Sequence, residues 1–209
     1  MGLSRKQKPR GRVNRNENRM ILIGTEGNNL NKTERIYFNH FNRRGNGYII
    51  RFARGTNSDP EGIVEDLIDS ARELDIDTMF GDTIFCLVDT DNNPERCKAI
   101  ESIRKKAEKN HIVIICSAPC FEVWFLQHFD YSTHAFLSSD EAVDSLKKYI
   151  PEYNKSKDIY MILEKRTNDA IQNAEKLEKY HDFVGNKTLM DRNPETDVYK
   201  VVRMLNEKF

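Results

Sequence analysis

The chain has 209 residues, enough for one domain with a sizeable core. Hydrophobic residues make up 38% and charged residues 32%, which excludes a disordered chain and describes a soluble protein with a heavily charged surface. Lys and Arg number 33, as do Asp and Glu, so the overall balance carries no basic field of the kind that announces a nucleic-acid binder.

The basic charge is gathered at the start instead. Arg5, Lys6, Lys8, Arg10, Arg12, Arg15 and Arg19 stand against a single acid, Glu17, over residues 1–19. This reads as a flexible basic arm that either touches phosphates or serves only solubility. It contains no apolar stretch suited to a secretory signal, and the longest apolar run, residues 112–116, is far too short to cross a bilayer. The expected setting is the cytoplasm, away from the membrane. Cys86, Cys97, Cys116 and Cys120 lack the paired knuckle spacing of a zinc site and read as reduced thiols.

Residues 20–25 form a short apolar run ended by a polar turn at 26–29, a buried strand. Ile36, Tyr37, Phe38 and Phe41 recur at helical spacing over 32–42, with Asn31 or Thr33 available as a cap. Gly45 and Gly47 break that helix, and 48–53 is a second strand. Ser58, Asp59 and Pro60 then open a helix whose inward face is Ile63, Val64, Leu67, Ile68, Ala71 and Leu74. The pattern repeats with a strand at 83–88, a polar turn at 89–94, a helix at 95–109 and a strand at 111–116. Strands apolar on both faces, alternating with amphipathic helices, call for an α/β fold: a doubly wound sheet of about four mainly parallel strands flanked by helices, over residues 20–130. Beyond Pro119 the chain reads as helices at 120–129, 139–149, 158–180 with a break near Lys165, and 194–207 with Asn193 as cap and Pro194 in the first turn. Residues 131–209 are expected as a helical C-terminal region packed on the core.

Ligands of an open parallel sheet bind beyond the carboxyl ends of its strands. Glu26 follows the first strand, and Asp89 and Asp91 follow the third, so three carboxylates from two turns reach one rim. Asp89 and Asp91 can both face a hard cation such as Mg²⁺, and Glu26 can complete the metal site or move a proton. Glu122 follows the fourth strand and can join the same rim. Glu34, about two turns into the first helix, falls near the metal or is merely solvated. His128 is either a ligand or proton carrier or a hydrogen-bonded structural residue. Phe121, Trp124 and Phe125 read as core, and Lys155 as a phosphate contact or a solvated lysine.

Glu26-Gly27, Thr33-Glu34, Tyr37-Phe38, Val88-Asp89-Thr90-Asp91, Ser117 to Trp124, His128-Phe129, Tyr153-Asn154-Lys155, Ala170 to Ala174 and Asn193 to Val198 occur in that order. In these blocks the chain resembles the RloB-like family, AbiLii-type abortive-infection proteins counted among Toprim-fold relatives. The resemblance implies a Toprim-like sheet, Glu26 as general acid/base and Asp89 and Asp91 as the metal-binding pair, with Mg²⁺ or Mn²⁺ as cofactor. It also implies a role in prokaryotic anti-phage defence beside an ATPase of the AAA or ABC type. Thr25 stands where the family pattern has cysteine, and Ala118 where asparagine is common.

Three functions follow as expectations. The first is a metal-dependent nuclease that hydrolyses phosphodiesters of RNA, tRNA included, or DNA. The second is a weakly catalytic or non-catalytic adaptor that works through an associated ATPase. The third is a nucleotide-binding sensor using the same rim.

Overall fold

A computed structural model describes residues 18–207 apart from Asn28 and Leu30. The basic residues from Arg5 to Arg15 lie outside the described residues, and Arg19 opens the first strand.

Strands β1 (Arg19–Gly24), β2 (Tyr48–Phe52), β3 (Thr83–Asp89) and β4 (Ile112–Ala118) run parallel, and β5 (Glu195–Thr196) runs antiparallel to β4. The order across the sheet is β2-β1-β3-β4-β5. The chain leaves β1 toward β2, then crosses back to β3 on the other side of β1. The winding direction therefore reverses between β1 and β3, where doubly wound sheets open a crevice.

The strands are buried on both sides because successive side chains point to opposite faces. Ile21, Ile23, Phe85, Leu87 and Ile115 belong to one hydrophobic cluster, and Leu22, Ile84, Cys86, Val88 and Ile112 to the other. Helices α2 (Pro60–Glu73) and α3 (Pro94–Lys109) cover the second face through Ile63, Val64, Leu67, Ile100 and Ile103. Both begin with a capping side chain followed by proline; the sequence reading has Ser58-Asp59-Pro60 as such a start but keeps Asn93 and Pro94 in the preceding turn. Asp59 accepts from the Gly62 amide, and Asn93 accepts from the amides of Glu95 and Arg96.

The first face is covered by α1 (Thr33–Asn39), α4 (Glu122–Gln127), α5 (Ser139–Lys147), α6 (Tyr160–Leu163), α7 (Thr167–Val184) and α8 (Val198–Asn206). Leu146, Tyr153, Leu163, Ala170, Val198 and Val202 share one cluster with the sheet residues and with Trp124, so the C-terminal helices build the same core as the strands. A 3-10 turn at Glu164–Arg166 separates α6 from α7, the expected break near Lys165. Among the described residues no helix is long and apolar enough to cross a membrane.

Two details depart from the sequence reading. Pro194 does not open a helix: Glu195 and Thr196 pair with Ala118 and Ser117, and the helix starts at Val198. The open edge of β4 offers backbone groups that need partners, and Asp197 adds to the pairing, its amide donating to Cys116 O at 2.8 Å and its Oδ2 accepting from the Cys116 amide at 3.3 Å. At the start of α1, neither Asn31 nor Thr33 acts as the cap; the Lys32 position precedes the helix without a side-chain bond. The Thr33 hydroxyl is used elsewhere, donating to Lys155 O at 2.8 Å.

Because one core serves both halves, urea unfolding is expected to be a single transition, coincident by far-UV circular dichroism and Trp124 fluorescence. Leu163→Ala should lower its free energy by about 2–5 kcal/mol without splitting it. An earlier, separate loss of the C-terminal helices would contradict the shared core.

Candidate functional site

β1 and β3 are adjacent, with Gly24 opposite Cys86, and both end at the same rim. Glu26 therefore emerges beside Asp89, the last residue of β3. The turn after Asp89 is fastened to the end of β4: the Thr90 amide donates to Ser117 O and the Asp91 amide to Pro119 O, each at 2.9 Å. Asp91 and Asn92 take left-handed backbone angles, φ 51° and 53°, a conformation that Asp and Asn adopt more readily than most residues. The Ala118–Pro119 peptide is cis and leads directly into Cys120 and α4.

The carboxylates form two linked groups. Asp89 is the centre of the first. Its Oδ2 accepts from the Phe121 amide at 3.2 Å. Burial, and then the charges of Glu34, Glu122 and Asp91, hold its carboxyl well above the ordinary carboxylate range. Among the described residues no Lys or Arg forms an ion pair with it. Glu34 is likewise raised, by burial and by Glu122, although its own backbone amide, Lys32 and Lys155 act the other way. Glu34 occupies the first turn of α1, not the second, so its side chain stays at the rim.

Glu122 is only 1% exposed, a position that a carboxylate tolerates when its oxygens are satisfied. Its Oε1 accepts from Tyr153 Oη at 2.8 Å and lies 3.5 Å from Thr33 Oγ1, whose proton goes to Lys155 O, and Lys155 Nζ lies 3.9 Å from Oε2. Burial pulls the Lys155 ammonium down, but Glu122 and further anionic neighbours including Asp89 and Glu34 outweigh it and keep the pKa raised. Thr33, Glu122, Tyr153 and Lys155 come from three separate sequence blocks and meet at one point.

The second group is organised by Arg96, in the first turn of α3. Its Nη2 forms an ion pair with Glu26, its Nε donates to Asp89 O at 2.5 Å, and Nε lies 3.4 Å from Asp91 Oδ2. Asp91 also accepts from Ser139 Oγ at 3.2 Å. Sequence reasoning did not identify Arg96. The available signal was the cap: Asn93 and Pro94 fix the first turn of α3 and turn position 96 back toward the strand it follows.

His128 lies in the core. It is 2% exposed, its Nδ1 bonds Trp124 O at 3.0 Å, and its ring packs edge-on against Trp124. Burial pushes its pKa down to about 4, so the neutral ring is the stable form.

The donor chemistry suits a hard cation. Asp89, Glu34 and Glu122 offer carboxylate oxygens in a low-dielectric setting where their mutual repulsion needs positive charge, and Mg²⁺ is content with one or two carboxylates plus waters. Among the described residues, however, no three or more His, Cys, Asp or Glu side chains are placed so that together they could hold a metal ion. The rim is an open acidic site, with Glu26 and Asp91 turned to Arg96.

A family model described as RloB-like protein matches residues 21–205. No curated protein and no solved structure matches the chain.

Two outcomes are expected. Asp89→Asn replaces a carboxyl crowded by other acidic groups with a neutral amide, so without divalent ions it should raise the melting temperature by roughly 2–4 °C, the shift about 1 kcal/mol gives in a domain of this size. Mg²⁺ should stabilise the wild type and not this variant, read by differential scanning calorimetry. His128 is neutral when folded and gains a proton more readily when unfolded, so its contribution is complete above pH 6.5 and is lost as pH falls toward 4. That loss amounts to roughly 3 kcal/mol, and the slope of stability over this window should flatten in His128→Gln.

Proposed function

The chain belongs to the RloB-like protein family, and on that footing we propose that it is a metal-dependent nuclease of Toprim type acting in prokaryotic anti-phage defence. The observation that carries the reading is the buried Asp89 carboxylate, crowded by Glu34 and Glu122 at the switch point of the sheet with no cation paired to it among the described residues. Like-charged carboxylates kept together at a ligand-binding edge suit a divalent ion that neutralises them. Asp89 would hold Mg²⁺ or Mn²⁺ with Glu34, Glu122 or Asp91, and the bound ion would supply a polarised phosphoryl oxygen and an activated water.

The remaining chemistry belongs to the chain's own side chains. Glu26 is half-buried and held by Arg96, which orients it as the group that exchanges a proton with the attacking water or the leaving oxygen. Arg96 can then face the phosphate whose charge grows in the transition state. Lys155 lends a second positive charge beside Glu122.

A second reading has its own support. Arg96 already pairs with Glu26 and lies beside Asp91, so part of the rim's negative charge is offset without a metal. This suits an adaptor, or an effector held inactive until an AAA- or ABC-type ATPase partner rearranges the rim.

Purified protein incubated with Mn²⁺ or Mg²⁺ and mixed tRNA, single-stranded RNA and DNA should cleave one class. Asp89→Asn should reduce that cleavage by roughly 100-fold or more, with folding retained. Equal cleavage by the variant would remove the site. Cleavage by neither, with a stable complex formed on an ATPase, would favour the adaptor.

A further inference from the structure

Arg35 is an unusual arginine. It is 4% exposed, yet among the described residues no carboxylate lies within ion-pair distance of its guanidinium. Buried charges are ordinarily paired, because an unpaired one forfeits its hydration without an opposite charge in return. The hydrogen-bond partners of Arg35 among the described residues are all neutral, and Glu34 acts on it only from beyond ion-pair distance. Its Nε donates to Thr25 Oγ1 at 2.9 Å, and its Nη2 donates to Gly27 O at 3.1 Å and Ala53 O at 3.2 Å. The guanidinium stacks over Phe52, 5.0 Å from the ring centroid. The Nη1 end has no hydrogen bond among the described residues.

Arg35 lines a cavity of about 560 Å³ together with Phe52, Ala53, Arg54, Gly55, Thr56 and Asp66. Asp66 is the one acid there, and its carboxylate is committed to the loop, accepting from the Asn57 amide at 3.3 Å and from Asn57 Nδ2 at 2.9 Å. A Cβ at Gly55 would collide with that carboxylate, so glycine lets the loop close around Asp66. The cavity keeps two guanidinium groups, a threonine hydroxyl and backbone as its polar lining. The same loop borders the acidic rim: Asn57 O accepts from the Gly27 amide beside Glu26, and Ser58 O accepts from Arg96.

We propose that this cavity binds a backbone phosphate of the nucleic acid, one or more nucleotides away from the bond facing Glu26 and Asp89. The proposal rests on the nuclease reading and extends it by naming where the substrate strand runs, across the carboxyl end of β2. Arg35 supplies a fixed charge whose own partners leave one edge open, and Arg54 supplies a second, exposed charge at the mouth, 3.6 Å from Glu73 Oε2. Phe52 offers the adjoining apolar surface.

The test measures binding apart from cleavage. In the Asp89→Asn background, a fluorescent single-stranded oligonucleotide is titrated by anisotropy over a series of KCl concentrations, with and without Arg54→Gln and, separately, Arg35→Lys. Arg54 is exposed, so its replacement leaves the fold intact, and circular dichroism checks the Arg35 variant. The proposal expects Arg54→Gln to weaken binding several-fold and to lower the slope of log K against log salt by about 0.7, the loss of one phosphate contact on a single strand. It expects inorganic phosphate to compete more weakly once either arginine is changed. Unchanged affinity and slope in both folded variants would overturn it, as would the lack of any oligonucleotide binding at low salt. Cleavage lost in Asp89→Asn alongside an unchanged slope would keep the nuclease reading and discard the phosphate site. A reduced slope in a protein that cleaves nothing would do the reverse.

Discussion

The repulsion among carboxylates around Asp89 is the constraint to which the rest of the rim answers. A parallel sheet brings the ends of β1, β3 and β4 together, and the sequence puts Glu26, Asp89 and Glu122 at or just after those ends. Packing of α1 and α4 on the same face adds Glu34 and withdraws water. Without compensation such a group would be lost to simpler side chains, since a buried like-charged set costs stability and contributes nothing to packing.

The compensation is divided between two sides. On one, Glu122 accepts from Tyr153 and has the Lys155 ammonium beside it. On the other, Arg96 holds Glu26 and leans on Asp91. Asp89 lies between them with a single backbone donor. Asp89 is also the carboxylate at the strand end beside the switch point, the edge where ligands of such sheets bind.

Much of this was legible in the sequence, for identifiable reasons. The strands of a sheet covered on both faces read as unbroken apolar runs, so β1 to β4 and the helices between them stood out. Glu26, Asp89 and Asp91 could be assigned to one rim because the winding of such a sheet is constrained. What was not legible depended on contacts between distant segments. Two residues, Glu195 and Thr196, extend the sheet only because β4 leaves an edge open, and nothing in their own pattern says strand. Arg96 looks like any basic residue on an amphipathic helix until the cap of α3 fixes its direction. The Thr25 hydroxyl before Glu26 receives a bond from Arg35, a pairing that neither segment shows alone.

The most direct measurement is a crystal structure from protein soaked in Mn²⁺, with the ion located by anomalous scattering. The account predicts a peak within coordination distance of an Asp89 carboxylate oxygen, shared with at least one of Glu34, Asp91 or Glu122 and completed by water. An Asp89 carboxylate without metal at millimolar Mn²⁺, with Arg96 still on Glu26, would contradict it and leave the rim as a metal-free binding surface.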